Sequence, residues 1–371
     1  MSEVVLFETM SVTNGKSIGM ATLNVEKSLN SLSLEMINLL ADRLAVWEKD
    51  DNILLVMFQS TGDRAFSAGG DIQNLYHDMV ANKGGPSPYC DDFFEREYRL
   101  DYQIHTYKKP TIVWGHGIVM GGGLGIASAC SHRIGTEKTR IAMPEITIGL
   151  IPDAGATWSF SQMQEHWRYF LTWTGANFNA KDARIVGLID YLINHELKQE
   201  FVEQLQSQNW DGDVALVLEN LINQFEKKSS GFLDSEVENH DAIVKEIITE
   251  CLATENPVAT FAANLPSFSG DIWLEKAGTT FSHGAPTSAH IIYEQFKRAE
   301  SMTMAETFQL ELTLAVQCSR HPDFLEGVRA LLIDKDNQPA WFQADMGKVP
   351  DDWVAQHFVE PWDKHPLADL A

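Results

Sequence analysis

The chain has 371 residues, 44% of them hydrophobic, enough to bury a substantial core and more than one small domain requires. Its 52 acidic side chains outnumber 28 basic ones, a formal charge of −24, which argues against nucleic acid or an anionic membrane as a main partner. Cys90, Cys130, Cys251 and Cys318 lie far apart with no CxxC pair, which fits neither a disulfide framework nor a zinc site and suits a reducing compartment.

The N-terminus, MSEVVLFETMSV, lacks the basic start and apolar run of a secretory signal, and no stretch approaches 18 apolar residues, so a cytoplasmic protein is expected. Val4 to Leu23 alternates short β-rich runs about Asn14-Gly15, which predicts a hairpin. Ser33 reads as an N-cap before Met36, Ile37, Leu39, Leu40, Leu44 and Trp47 at helical spacing, up to about Glu48. Ile53 to Phe58 is an apolar run of buried-strand length. The alternation recurs with a strand at Thr111–Trp114, a helix at Leu124–Cys130 after a glycine cluster, and a strand at Arg133–Thr136. This is an α/β pattern, with ligand chemistry expected at loops that follow strands. After about Leu205 the chain turns amphipathic and acidic, predicting helices at Val214–Phe225, His240–Leu252, Thr287–Ala299 and Met304–Cys318.

Three segments could carry chemistry. Ala65-Phe66-Ser67-Ala68-Gly69-Gly70-Asp71 follows the buried strand; its paired glycines let backbone N–H groups approach a ligand, and Asp71 can cap the next helix. An ordinary strand-to-helix turn would look the same. His116-Gly117-Ile118-Val119-Met120-Gly121-Gly122-Gly123-Leu124-Gly125 opens a helix on three glycines, whose free N–H donors at the positive end of the helix dipole suit a developing oxyanion. Close helix packing is the competing explanation, whereas a P-loop is excluded by the missing Gly-Lys-Ser/Thr ending. Met143 to Gly155 holds Glu145 and Asp153 in an apolar segment broken by Pro and Gly, and a carboxyl group in such surroundings has a raised pKa suited to proton transfer. Turn capping is the alternative there.

In this order and spacing the three segments resemble the crotonase (enoyl-CoA hydratase/isomerase) superfamily. The resemblance implies an α/β fold, a spiral of ββα units over residues 1–205, with a mainly helical C-terminal region, 206–371, packed on it. It also implies an oxyanion hole made by the Gly70 and Gly122 N–H groups. Hydratases of the superfamily use a second glutamate just after the glycine triplet. Here that position is Gly125. The chain instead looks like the 3-hydroxyisobutyryl-CoA hydrolase branch: M-P-E-x-x-I-G-x-x-P-D is matched by Met143–Asp153, F-F-x-x-E-Y by Phe93–Tyr98, S/A-P-T-S by Ala285–Ser288, and F-x-E-G-V-R-A-x-L-I-D-K-D by Phe324–Asp336.

By that resemblance Glu97, Gly122, Glu145 and Asp153 surround the acyl group. Glu145 activates water or attacks the thioester itself, and Asp153 binds the substrate hydroxyl or manages the proton of the leaving thiolate. A solvated helix face is the competing reading for Glu97. Coenzyme A, as part of the substrate and not a separate cofactor, would lie along Lys27, Leu29, Arg64, Phe66 and Ala68, with Arg329 and Lys335 as further candidates. His116 is expected to be structural, no metal site is expected, and a homo-oligomer is left open. The expected activity is hydrolysis of a short-chain acyl-CoA in valine breakdown. Its rivals are hydration or isomerisation of another acyl-CoA and silent CoA binding.

Overall fold

The computed structural model describes residues 3–370. Its strands are β1 (Val5–Ser11), β2 (Ser17–Leu23), β3 (Ile53–Ser60), β4 (Ala65–Ser67), β5 (Thr111–Gly115), β6 (Ile118–Met120), β7 (His132–Gly135), β8 (Arg140–Ala142), β9 (Phe178–Asn179) and β10 (Tyr191–Leu192). A larger sheet runs β1-β2-β3-β5-β7-β10 and a smaller one β4-β6-β8-β9. The hairpin β1–β2 is antiparallel, whereas β2–β3, β3–β5 and β5–β7 are parallel. β3 therefore lies inside the larger sheet, which is why its residues form a continuous apolar run.

Three strands of the larger sheet are each followed by a short strand of the smaller one and then by helical backbone: β3, β4 and Ile72–Ala81; β5, β6 and Gly122–Ala129; β7, β8 and the turn Glu145–Ile148. This is the ββα repeat that the resemblance implies. From Lys198 onward the regular elements are helices, including Val214–Lys228, Glu236–Leu252, Pro286–Ala299 and Met304–Arg320. Ser33 caps Leu34–Lys49 as expected, accepting from the Met36 N–H. Asp71 does not cap Ile72–Ala81 through its side chain, because that carboxylate accepts instead from Asn74 Nδ2 at 2.6 Å.

The chain folds as two compact units that are not consecutive in sequence: residues 1–70, 100–141 and 178–235 in the first, 71–99, 142–177 and 236–371 in the second. The boundary expected near residue 205 thus falls inside the first unit. The reason is physical: Leu218, Leu221, Ile222 and Phe225 on one face of Val214–Lys228 complete a core with Ile18, Met20, Leu55, Met57, Trp114 and Phe201. The second unit has an aromatic core, in which Trp173 lies 5.2 Å from Phe261 and Phe261 4.8 Å from Phe281. The Trp173 indole N–H is satisfied by the Ala289 carbonyl at 3.0 Å.

Candidate active site

In the first unit, β4 pairs in parallel with β6, so the glycine turns that follow these strands leave the small sheet at the same end. The turns touch: a Cβ on Gly69, whose φ is +105°, would stand 3.3 Å from the Met120 carbonyl and 3.7 Å from the Gly122 nitrogen. A Cβ on Gly123 would meet the Ser67 carbonyl at 2.5 Å, too close for any side chain. Gly122 is the first residue of Gly122–Ala129, so its N–H has no intrahelical acceptor. Among the described residues, neither the Gly70 nor the Gly122 N–H has a hydrogen-bond acceptor. Two free donors thus come from adjacent turns, one of them at the positive end of a helix.

The segment assigned to coenzyme A lies in the same unit. Leu29 and Asn30 both have φ 55°, a conformation held by the buried Asn30 side chain, which accepts from Val25 N and donates to the Thr61 and Ala65 carbonyls. The Leu29 carbonyl accepts from Ala68 N at 3.0 Å, which ties this loop to the first glycine turn. Lys27 and Arg64 are exposed, with no ionic partner among the described residues. Phe66 is fully buried, and its backbone N–H donates to the His116 carbonyl at 2.8 Å, so it has no exposed surface for a ligand. His116 is buried against the Gly62 carbonyl at 2.8 Å, and burial lowers its pKa to about 4, so the imidazole is neutral and structural, as expected.

In the second unit, Glu97, Glu145, Asp153 and Glu311 are all buried, at 3%, 6%, 5% and 0% exposure, and among the described residues no basic side chain offsets them. Glu95 pairs with Arg99 at 3.0 Å on the outer face of the helix Pro88–His105, while Glu97 points inward, so Glu97 is not part of a solvated face. Glu145 opens the turn Glu145–Ile148, and its Oε2 has no hydrogen-bond partner. Burial, followed by the Asp153 charge, pushes the Glu145 carboxyl well above the ordinary range. Burial and then Asp153 do the same to Glu97. Burial raises Asp153 to about 6, opposed by the Tyr98 hydroxyl, which donates to its Oδ2 at 2.6 Å and favours the charged form.

Tyr98 and Glu311 received no role from the sequence. Glu311 accepts from the backbone N–H groups of Gly155 at 2.8 Å and Thr157 at 2.6 Å, and burial pushes it up to about 8. The signal for Glu311 was there: it shares the apolar face of its helix with Phe308, Leu312 and Ala315. Arg329 is engaged otherwise than expected, its guanidinium taken up by Glu326, Asp334 and Asp336 at 2.7 to 2.8 Å. Lys335 is exposed. Among the described residues no group of three or more His, Cys, Asp or Glu side chains could hold a metal ion, and no helix is long and apolar enough to cross a membrane.

An enoyl-CoA hydratase/isomerase family model matches residues 18–358. The chain is 34% identical over 363 residues to a mitochondrial 3-hydroxyisobutyryl-CoA hydrolase of Danio rerio, covering 95% of this chain and 89% of the relative. It is 32% identical to the human protein of the same name, covering 96% and 89%. In structure it is similar to a carnitinyl-CoA dehydratase of Mycobacterium thermoresistibile, at TM-score 0.85 and 28% identity over 98% of both chains. An enoyl-CoA hydratase of Rhodobacter sphaeroides matches at TM-score 0.82 and 26% identity over 97% of this chain and 98% of that one. The chain therefore belongs to the enoyl-CoA hydratase/isomerase (crotonase) family, in the branch that contains the 3-hydroxyisobutyryl-CoA hydrolases.

Proposed function

We propose that the chain hydrolyses the thioester of 3-hydroxyisobutyryl-CoA, or of a closely related short β-hydroxyacyl-CoA, to the free hydroxy acid and coenzyme A, as a step in valine breakdown. The Gly70 and Gly122 N–H groups receive the thioester oxygen as it gains charge. One such donor is worth about 2.7 to 4 kcal/mol of barrier, so the pair carries much of the catalysis. Glu145, as carboxylate, takes a proton from the water that attacks the carbonyl carbon, or attacks it itself to give a mixed anhydride that water then cleaves to the free acid and the restored carboxylate. Asp153, as carboxylate, accepts from the substrate hydroxyl, coenzyme A leaves as the thiolate and takes its proton from water, and Glu97 borders the acyl group. Lys27 and Arg64 pair with phosphates, while Leu29 and Ala68 border coenzyme A.

The observation that carries this reading is Glu145 itself, a buried carboxyl with one unpartnered oxygen in a chain that has Gly125 where hydratases place their second glutamate. Adding water across a double bond needs an acid and a base on the same water, whereas cleaving a thioester needs one carboxylate and an oxyanion hole. The names of the two hydrolase relatives support the same reading. No organic or metal cofactor beyond the substrate's own coenzyme A belongs to this scheme, and we place the protein in the cytoplasm, although those relatives are named mitochondrial. The test is a thiol-release assay on a panel of short 3-hydroxyacyl-CoA esters, run beside hydration of crotonyl-CoA. Thiol release with little hydration is expected; hydration without thiol release would assign the chain to the hydratases, and binding without turnover would make it a silent CoA protein.

A further inference from the structure

We propose that Tyr98 is a positioning residue for Asp153: its hydroxyl holds one carboxylate oxygen in the working orientation while Glu311 and Gln295 pin the backbone on either side. The inference rests on the function proposed above for the site's chemistry, though not for its geometry.

Asp153 sits in a loop that local preference does not hold. Its neighbour Ala154 has φ 54°, a region that residues with a Cβ rarely occupy unless surrounding contacts impose it. The contacts are present and buried. Glu311 takes the Gly155 and Thr157 N–H groups, and Gln295 Nε2 donates to the Pro152 carbonyl at 2.8 Å and to Thr157 Oγ1 at 2.7 Å. Two helices, Pro286–Ala299 and Met304–Arg320, thereby fix the main chain before and after Asp153. What remains free is the side chain, and there the Tyr98 hydroxyl donates to Oδ2 at 2.6 Å. The phenol ring is fully buried, 5.9 Å from Phe94 and 6.4 Å from Phe308, so the hydroxyl has little room to turn away.

The same bond decides where a negative charge rests. The titratable groups facing Asp153 are Glu97 and Tyr98 from Pro88–His105, Glu145 from its own turn, and Glu311 and Cys318 from Met304–Arg320. None is a cation. A donor aimed at the carboxylate then favours the charged form of Asp153. A merely structural tyrosine would fill space without this effect.

Tyr98→Phe keeps the ring and removes the donor. With the thioester substrate, kcat is expected to fall roughly 10- to 100-fold while the Kd for free coenzyme A stays within about two-fold, the size of one lost hydrogen bond to a charged group. In protein labelled with [13Cγ]aspartate, with Asp153→Asn to assign the resonance, the Asp153 titration is expected to move up by roughly one unit. Circular dichroism and thermal melting verify the fold of the variant. An Asp153 titration unchanged in Tyr98→Phe overturns the proposal, even if kcat falls. Should Tyr98→Phe fail to fold, wild type labelled with [13Cζ]tyrosine decides: one tyrosine Cζ resonance must follow the Asp153 titration and lose that dependence in Asp153→Asn, and its absence overturns the proposal. If the wild type releases thiol from no ester, the proposed function fails while the resonance titrations still judge this inference.

Discussion

Four carboxyl groups that share a buried, cation-free neighbourhood cannot all be charged at neutral pH. Burial raises all four, Asp153 to about 6 and Glu311 to about 8, and holds Glu97 and Glu145 well above the ordinary range. Glu145 must lose its proton to act as base or nucleophile, so kcat/KM for thiol release is expected to rise with pH above the ordinary carboxylate range. A profile flat from pH 5 to 8 would refute that expectation. Glu145→Gln keeps the shape of the side chain but cannot act as base or nucleophile. It is expected to lower kcat by roughly 10²- to 10⁴-fold and to leave coenzyme A affinity, measured by calorimetry, unchanged. Glu145 and Asp153 were legible in the sequence because charge is conspicuous in the apolar Met143–Gly155. Tyr98 was not, and Glu311 was only as a charge on the apolar face of its helix, since their roles depend on partners 55 and 156 positions away.

At the scale of elements, the contact of the two glycine turns is the feature most easily broken. Gly123→Ala would drive a methyl into the Ser67 carbonyl and separate the turns that carry Gly70 and Gly122. A lower melting temperature and a fall in kcat larger than any change in KM are the expected outcome, by scanning calorimetry and steady-state kinetics. The basic residues divide by what already engages them. Lys27→Ala and Arg64→Ala should each raise KM for the CoA ester several-fold with kcat unchanged, while Arg329→Ala should leave KM alone and loosen its own segment, because its guanidinium is already shared by three carboxylates. The hairpin, the Ser33 cap and β3 were readable because turn chemistry, capping and apolar runs are local. The small sheet was not, because strands of two or three residues, such as β4 and β9, are too short to show a period.

Across the whole molecule, the chain passes between its two compact units five times, at 70/71, 99/100, 141/142, 177/178 and 235/236. A fragment ending at residue 205 lacks Trp210, Leu218, Leu221, Ile222 and Phe225 and bares the core they cover, so it should aggregate or remain without a cooperative melt. The buried acids also leave a mark on global stability. Glu311 keeps its proton in the folded state up to about 8 against an ordinary 4.5, so between those values the folded chain binds more protons than the unfolded one, and stability falls as pH rises. Glu311→Gln should flatten that dependence between pH 5 and 8, read as the difference in melting temperature from wild type.

The order of three motifs and the glycine at position 125 were sufficient for the family resemblance, which implied the ββα repeat and three of the four buried acids, because each motif is written in residues close together in the chain. Which helices belong to which unit, which basic side chains stay free, and what holds Asp153 in place depend on pairings between distant residues. Such pairings exist only once burial has brought the partners within hydrogen-bond reach.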